Sequence, residues 1–147
     1  MRHPLLPGGH RHDSGLSRSF SHVRDYAHVA LGAIRLFNGT AALLAPDFLA
    51  RRLGAREEGN RADLYAFRLF GIRTVLIAID LLLAKGPART SALNTGVLIH
   101  ASDTASAAFG GVRGEVPRGA AIMTTAISAL NTFLALVARR PGGWRLW

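Results

Sequence analysis

The sequence contains no cysteine. This absence excludes a disulfide scaffold, a zinc site with thiolate ligands, iron–sulfur ligation and a cysteine nucleophile. Charged residues are scarce too, because Asp, Glu, Lys and Arg together make up only 18% of the chain, against about 25% in an average soluble domain. Since apolar residues reach 49%, a water-soluble surface is hard to build from this composition.

Acidic residues and lysine are also few. Nine acidic residues stand against 18 basic ones, of which only Lys85 is a lysine, and the formal net charge is +9. Such a charge suits nucleic acid, anionic lipid or cytoplasmic membrane loops. The arginines cluster at the ends of apolar segments and form no basic stripe interleaved with aromatics, so no nucleic-acid partner is expected.

Recognisable catalytic motifs are missing as well. The chain has no HExxH sequence, no glycine-rich phosphate loop and no GxSxG nucleophile motif, so no cofactor and no reaction are indicated. We therefore expect a non-enzyme more readily than an enzyme. The His10-Arg11-His12 run lies in an unstructured context, and no metal site is expected there.

The first 25 residues mix Pro, Gly, Ser, His and Arg without a helical or alternating apolar period. This composition predicts a disordered basic tail over residues 1–25. A secretory signal would need an apolar core of roughly 7–15 residues, whereas the longest apolar run here is Leu5-Leu6. No such signal is expected.

Four apolar segments follow, and each is about 20 residues long, enough to cross a hydrocarbon core of roughly 30 Å. We predict an all-α protein, a four-helix transmembrane bundle of up-down-up-down topology over residues 26–140, with a short tail at 141–147. A soluble four-helix protein is the alternative, because ionisable residues occur within three of the segments. The predicted spans are 26–45, 64–84, 91–111 and 119–139.

The connections between the spans are short. Pro46 ends the first helix, and in the polar connector 47–63 Phe48, Leu49 and Leu53 are spaced for one side of a short amphipathic helix. Residues 85–90 form a tight link. The third span is rich in small residues at four-residue spacing, which lets helix backbones approach closely, so we expect it in the middle of the bundle.

The basic residues also predict a topology. An even number of spans places both termini on one side of the membrane, and that side holds nine basic residues while the opposite side holds six. By the positive-inside rule, both termini are expected in the cytoplasm, which corresponds to a multi-pass protein of a cell's inner membrane.

Five ionisable residues lie within the predicted spans, away from their ends. An ionisable group at the bilayer centre costs about 2.5–3.5 kcal/mol on insertion scales, so such residues normally face the bundle interior and pair. They are the candidate site: Arg35, Arg73, Asp80, His100 and Asp103.

Position along each span suggests two polar layers. Arg35, Arg73 and His100 lie near the middle of their spans, with Asp103 one turn beyond His100, so we expect Asp103 to form an ion pair with Arg73 or Arg35. Asp80 lies nearer the other membrane surface and would form a second layer with asparagines of the third and fourth spans, Asn94 and Asn131. Both layers are compatible with a purely structural role or with a ligand, proton or ion site.

These elements resemble a known family. Ala45-Pro46 ends the first helix, residues 67–73 read Phe-Arg-Leu-Phe-Gly-Ile-Arg, Asp103 lies in the third helix and residues 116–118 read Val-Pro-Arg. The pattern is similar to that of small four-helix bacterial membrane proteins of unknown function, loosely DoxX-like, over about residues 26–140. Thr74 stands where that family commonly has an acidic residue. The resemblance implies a fold and a membrane location, and it implies no activity.

Two classes of function stay open. The first is a non-enzymatic membrane protein with a structural or interaction role, whose polar core fixes helix register. The second is a transporter or membrane enzyme that binds a small anionic or quinone-like ligand between the helices. The lipid bilayer is the expected partner in either case, and a homo-oligomer would supply the volume that a pathway needs.

Overall fold

A computed structural model describes residues 13–54 and 61–139, with side chains from residue 19 in the first stretch and from residue 62 in the second. These residues form five α-helices and no strand, which confirms the all-α prediction for this part of the chain. The helices are α1 (Asp13–Leu44), α2 (Pro46–Arg52), α3 (Arg61–Leu83), α4 (Gly86–Val112) and α5 (Arg118–Ala138). The predicted tail at 141–147 lies outside the described residues.

Helix α1 is longer than predicted. It begins at Asp13, so the prediction of a disordered tail does not hold for residues 13–25, while residues 1–12 lie outside the described part. No proline interrupts the chain between residues 13 and 45, and extending an existing helix requires no new nucleus. An ion pair between Asp25 and Arg89, at 3.0 Å, ties the extension to α4.

The chain turns at Pro46 as the sequence predicts. Helix α1 ends at Leu44, and Pro46 occupies the first turn of α2, where its missing N–H is not needed. A short helix is present in the connector, but its buried residues are Pro46 and Ala50. The predicted apolar side is wrong for Phe48, which is exposed, while Leu49 and Leu53 are half-buried. The guanidinium of Arg52 lies 5.3 Å from the centre of the Phe48 ring.

The link between α3 and α4 is shorter than predicted. Only Ala84 and Lys85 separate the two helices, because α4 already begins at Gly86, where a positive φ of 56° is followed by Pro87 in the first turn. The last turn of α3 gains a partner from α1. The buried His28 Nε2 donates to the carbonyl oxygen of Leu81 at 2.6 Å, one of the carbonyls that the helix end leaves without an intrahelical partner.

Close backbone approach joins α1 to α3. A Cβ atom on Gly39 would lie 2.9 Å from the backbone nitrogen of Val75, and one on Gly71 would lie 2.6 Å from that of Leu43. Gly32 packs against Leu82. Residue numbers therefore rise along α1 as they fall along α3, so these two helices run antiparallel.

Across the bundle, neighbouring helices pack in the order α3, α1, α5, α4. Helix α5 packs on both α1 and α4, whereas α3 and α4 meet only sparsely. The expectation that the third span lies in the middle is thus wrong: α4 is at an edge, and its Ser102 and Ser106 are exposed. Its close approach is confined to α5, where a Cβ on Gly111 would lie 2.6 Å from the Cβ of Ala121.

Polarity is distributed in an unusual way over the described residues. The buried apolar residues are mostly alanine, and the interior also holds polar side chains: His28, Arg35, Thr74, Asn94, His100 and Asn131. Large apolar side chains cover the outside of every long helix, among them Phe37 (74% exposed) on α1, Leu83 (71%) on α3, Val112 (89%) on α4 and Phe133 (61%) on α5. This reverses the usual arrangement of a soluble domain, in which large apolar side chains fill the core.

Length and composition single out two of the described helices as able to cross a membrane. They are Ser19–Leu44, within α1, and α5. Helix α3 differs because Arg68, Arg73 and Asp80 interrupt its apolar sequence, and α4 differs because much of it is built from Ala, Ser, Thr and Gly.

Candidate functional site among helices α1, α3 and α4

The centre of the site is a contact between α1 and α4. Arg35 is 4% exposed and its Nη1 donates to Nε2 of His100, which is also 4% exposed. A guanidinium has no acceptor, so His100 Nε2 must be the accepting, unprotonated nitrogen of a neutral ring. The proton of the neutral ring then resides on Nδ1, which lies 3.5 Å from the same Arg35 Nη1.

Asp103 lies beside that second nitrogen. One of its carboxylate oxygens, Oδ2, is 3.9 Å from His100 Nδ1, and 40% of its side chain is exposed. This separation exceeds a hydrogen bond. Arg35, His100 and Asp103 thus form one polar row, which we call the Arg–His–Asp cluster.

The predicted ion pair of Asp103 with an arginine differs in detail from this arrangement. Among the described residues, neither Arg35 nor Arg73 has a guanidinium nitrogen within 4.0 Å of the Asp103 carboxylate. Both arginines nevertheless attract Asp103 electrostatically, and they repel each other. The group in direct contact with Arg35 is His100 rather than Asp103.

Arg73 belongs to the rim of the cluster. Residues 71, 74, 78 and 81 form the buried face of α3, and Arg73 projects beside that face, where its side chain is exposed. Its link to the cluster is electrostatic, because its charge attracts the Asp103 carboxylate on α4. The cluster consequently has a buried arginine, Arg35, and an exposed one, Arg73.

Asp80 does not join a second polar layer. Its side chain is exposed on α3, and within the described residues it makes no hydrogen bond or ion pair. The expected partners, Asn94 and Asn131, are both buried, on α4 and α5. The predicted layer is therefore wrong for Asp80, because the face of α3 that packs against α1 carries Ala78 and Leu81 and turns residue 80 outward.

The charge of the site is not balanced by its own residues. Two guanidiniums accompany one carboxylate and a neutral imidazole, which leaves one excess positive charge. Arg35 Nε is buried and has no hydrogen-bond partner within the part of the chain that the structure describes. A buried charged donor without an acceptor is costly, so the arrangement suits a further anionic or acceptor group.

Sequence reasoning missed His28 and the threonines. His28 shares a face of α1 with Arg35, and the residues of this face follow a spacing of three and four that was available in the sequence: 28, 31, 32, 35, 39 and 42 are all buried. Thr104 on α4 lies 3.4 Å, oxygen to oxygen, from Thr132 on α5. No sequence signal identifies that cross-helix contact, which depends on how the helices pack.

Comparison with protein-family models, with curated proteins and with solved structures finds no match for this chain. The similarity to DoxX-like membrane proteins accordingly stays a prediction from sequence. Any function must be argued from the distribution of polarity and from the cluster itself.

Proposed function

We propose that the chain is a multi-pass membrane protein in which α1, α3, α4 and α5 cross a bilayer as an up-and-down bundle. The observation that carries this proposal is the inverted polarity, with Phe37 and Phe133 outside and Arg35, His100 and Asn131 inside. In water, the opposite distribution minimises the free energy. In lipid, buried polar groups pair inside the bundle while apolar side chains contact the acyl chains.

The helix contacts support the up-and-down arrangement. Gly39 lies against Val75 and Gly32 against Leu82, so α1 and α3 are antiparallel. In the same way, α4 and α5 meet at Gly111 with Ala121 and at Thr104 with Thr132. Helix α3 has 23 residues and α4 has 27, which at about 1.5 Å per residue exceeds the roughly 30 Å hydrocarbon thickness.

Fractionation tests the membrane proposal. We expect the full chain to stay in the membrane pellet through high-salt and alkaline carbonate washes and to enter solution only with detergent. A purified chain that is folded and monodisperse in plain buffer, without detergent or lipid, would refute it.

The same proposal includes an orientation with both termini in the cytoplasm, across an inner membrane. Because the chain has no native cysteine, Ser14→Cys and Glu57→Cys each give a unique reporter. A membrane-impermeant thiol reagent added to intact cells should label position 57 and not position 14. Labelling at 14 alone would reverse the orientation.

We further propose that the Arg–His–Asp cluster, with Arg73 at its rim, binds a small anionic or quinone-like ligand between α1, α3 and α4. The support is the buried Arg35, whose Nε has no acceptor among the described residues, together with the exposed guanidinium of Arg73. An incoming carboxylate or quinone oxygen would accept from both guanidiniums. The neutral His100 ring, which accepts from Arg35, would hold that guanidinium in place.

A structural or interaction role is the second candidate function. The bond between Arg35 and His100 joins α1 to α4, and one buried polar contact of this kind can fix the register of two helices without any ligand. In that case Arg35 and His100 contribute to stability, and substitution of the exposed Arg73 has no effect on stability or binding.

Arg73→Gln separates the two functions, with Arg68→Gln as the matched control on the exposed part of the same helix. The probes are acetate, benzoate and a short-chain benzoquinone, added to the detergent-solubilised chain during thermal melting. If the cluster is a ligand site, at least one probe raises the Tm of wild type and of Arg68→Gln but not that of Arg73→Gln. Equal responses of all three proteins, or no response, would favour the structural role.

A further inference from the structure

We propose a second binding site, at the end of the bundle where α1, α4 and α5 meet, for a phosphate group. A cavity of about 400 Å³ lies there, within the roughly 300–1,000 Å³ typical of small-ligand pockets. Three arginines from three different helices or helix ends line it: Arg24, Arg89 and Arg139. We call it the terminal pocket.

The terminal pocket is separate from the Arg–His–Asp cluster. Arg24 and Asp25 precede Arg35 by about ten residues along α1, and Arg89 precedes His100 by eleven along α4. At about 1.5 Å per residue the two sites are roughly 15 Å apart along the bundle axis. The new site therefore depends on neither the ligand nor the function proposed for the cluster.

Charge decides which ligand the terminal pocket takes. Among the described residues that line it, the acidic side chain is that of Asp25, whose Oδ1 accepts from Arg89 Nη2 at 3.0 Å. Arg24 adds a positive charge that the Asp25–Arg89 pair does not balance. A phosphate group carries one or two negative charges and offers several oxygens to planar guanidiniums, which bind such groups in a bidentate manner.

The polar groups around the arginines fit the same ligand. Ser21 and Thr90 bring hydroxyl groups to the lining, from α1 and from the first turns of α4. No side chain caps the N-terminus of α4, where Gly86 and Pro87 also line the cavity. The positive end of that helix dipole adds to the field of the arginines. Leu93 and Ala138 give the cavity an apolar floor.

Two sources could present this phosphate group: a lipid headgroup or a free phosphate compound. The pocket lies about half a bilayer thickness from the cluster, which is the level of the headgroups if the helices span a membrane. A water-soluble phosphate compound reaches the same residues from the aqueous side, so the site itself does not require the membrane proposal.

The test measures the affinity of the full-length chain, in non-ionic detergent, for inorganic pyrophosphate and for micellar phosphatidic acid. Phosphatidylcholine at the same mole fraction is the lipid control. The pocket variant is Arg24→Gln/Arg139→Gln, which leaves the Asp25–Arg89 pair intact. The matched control is Arg51→Gln/Arg118→Gln, which removes two exposed arginines at the opposite end of the bundle.

We expect the apparent Kd for a phosphate probe to rise at least about tenfold in the pocket variant, since each lost charge-assisted hydrogen bond weakens binding by roughly that factor. The control variant should change it less than about twofold. Saturable binding of phosphatidic acid alone identifies a lipid headgroup site, and binding of both probes identifies a site for the phosphate group from either source. No saturable binding by wild type, or equal loss in the two variants, overturns the proposal.

A folding defect is distinguished by circular dichroism and by the elution volume of each variant in detergent. Should the double variant fail to fold, the single Arg24→Lys variant keeps the test open, because it retains the charge and loses bidentate geometry. An unchanged Kd in folded Arg24→Lys would argue against recognition by the guanidinium of Arg24 and overturn that part of the assignment.

Discussion

Replacing His100 with phenylalanine should destabilise the protein through Arg35. The substitution keeps an aromatic ring of similar size but removes the nitrogen that accepts from Arg35 Nη1. Arg35 is only 4% exposed, so water cannot replace the lost acceptor without a change in packing. A hydrogen bond to a charged group contributes about 1.5–3 kcal/mol, and a buried charge left unsatisfied costs at least as much.

We therefore expect His100→Phe to lower the free energy of unfolding by about 2–3 kcal/mol, which corresponds to a fall in Tm of roughly 5–10 °C for a chain of this size. The assay is thermal or chemical unfolding of the purified chain in detergent, followed by helical circular dichroism. Ser106→Ala, an exposed change on the same helix, is the control and should shift Tm by less than about 2 °C.

A double-mutant cycle decides whether the loss comes from this contact. Arg35→Leu removes the buried charge, so Arg35→Leu/His100→Phe should lose clearly less than the sum of the single variants, with a coupling of at least about 1 kcal/mol. Losses that add within about 0.5 kcal/mol would refute the reasoning, since they would mean that Arg35 and His100 do not interact.

Three further substitutions test other parts of the fold by the same unfolding assay. Gly71→Ala should lower the free energy of unfolding by about 1–3 kcal/mol, because the added Cβ would lie 2.6 Å from a backbone nitrogen of α1. The control Gly96→Ala, with nothing within 4 Å of the added Cβ, should be neutral or stabilising. Equal effects of the two substitutions would mean that α1 and α3 do not approach closely. His28→Phe should cost about 1–3 kcal/mol by leaving the Leu81 carbonyl unpaired, and an unchanged midpoint would contradict that role. Asp80→Asn should change stability by less than about 0.5 kcal/mol, and a larger loss would restore the second polar layer that the exposed position of Asp80 argues against.

Element positions were the part of the fold best predicted from sequence. Apolar runs located α3 and α5 to within a few residues, and Pro46 marked the end of α1, because proline restricts the residue before it whatever the tertiary context. The start of α1 was misplaced. Residues 13–25 have no apolar period, and their helix depends on continuity with a strongly apolar segment and on the contact of Asp25 with Arg89.

The shared depth of Arg35 and His100 was predictable from sequence, whereas the direction in which each side chain points around its helix was not. Counting residues at about 1.5 Å each placed Arg35 and His100 at one level, and the structure brings those two together. Which side of α3 faces α1 depends on the close approach at Gly39 and Gly71, and this approach turns Asp80 outward. The packing order α3, α1, α5, α4 was likewise beyond a single sequence, since the small residues of α4 suit an edge as well as a centre.

Because α3 and α4 contact each other only sparsely, the bundle consists of two helix pairs that are joined mainly along one side. The antiparallel pair α1–α3 packs on the antiparallel pair α4–α5 mainly through α1 and α5, and the interface between α3 and α4 is the weakest of the bundle. A small change in the angle between the two pairs alters the distance between α3 and α4 more than the distance between α1 and α5. It therefore alters the separation of Arg73 on α3 from Asp103 on α4 more than the position of Arg35, which lies on α1. The rim of the site is thus the part of the polar cluster most sensitive to how far the two pairs are opened.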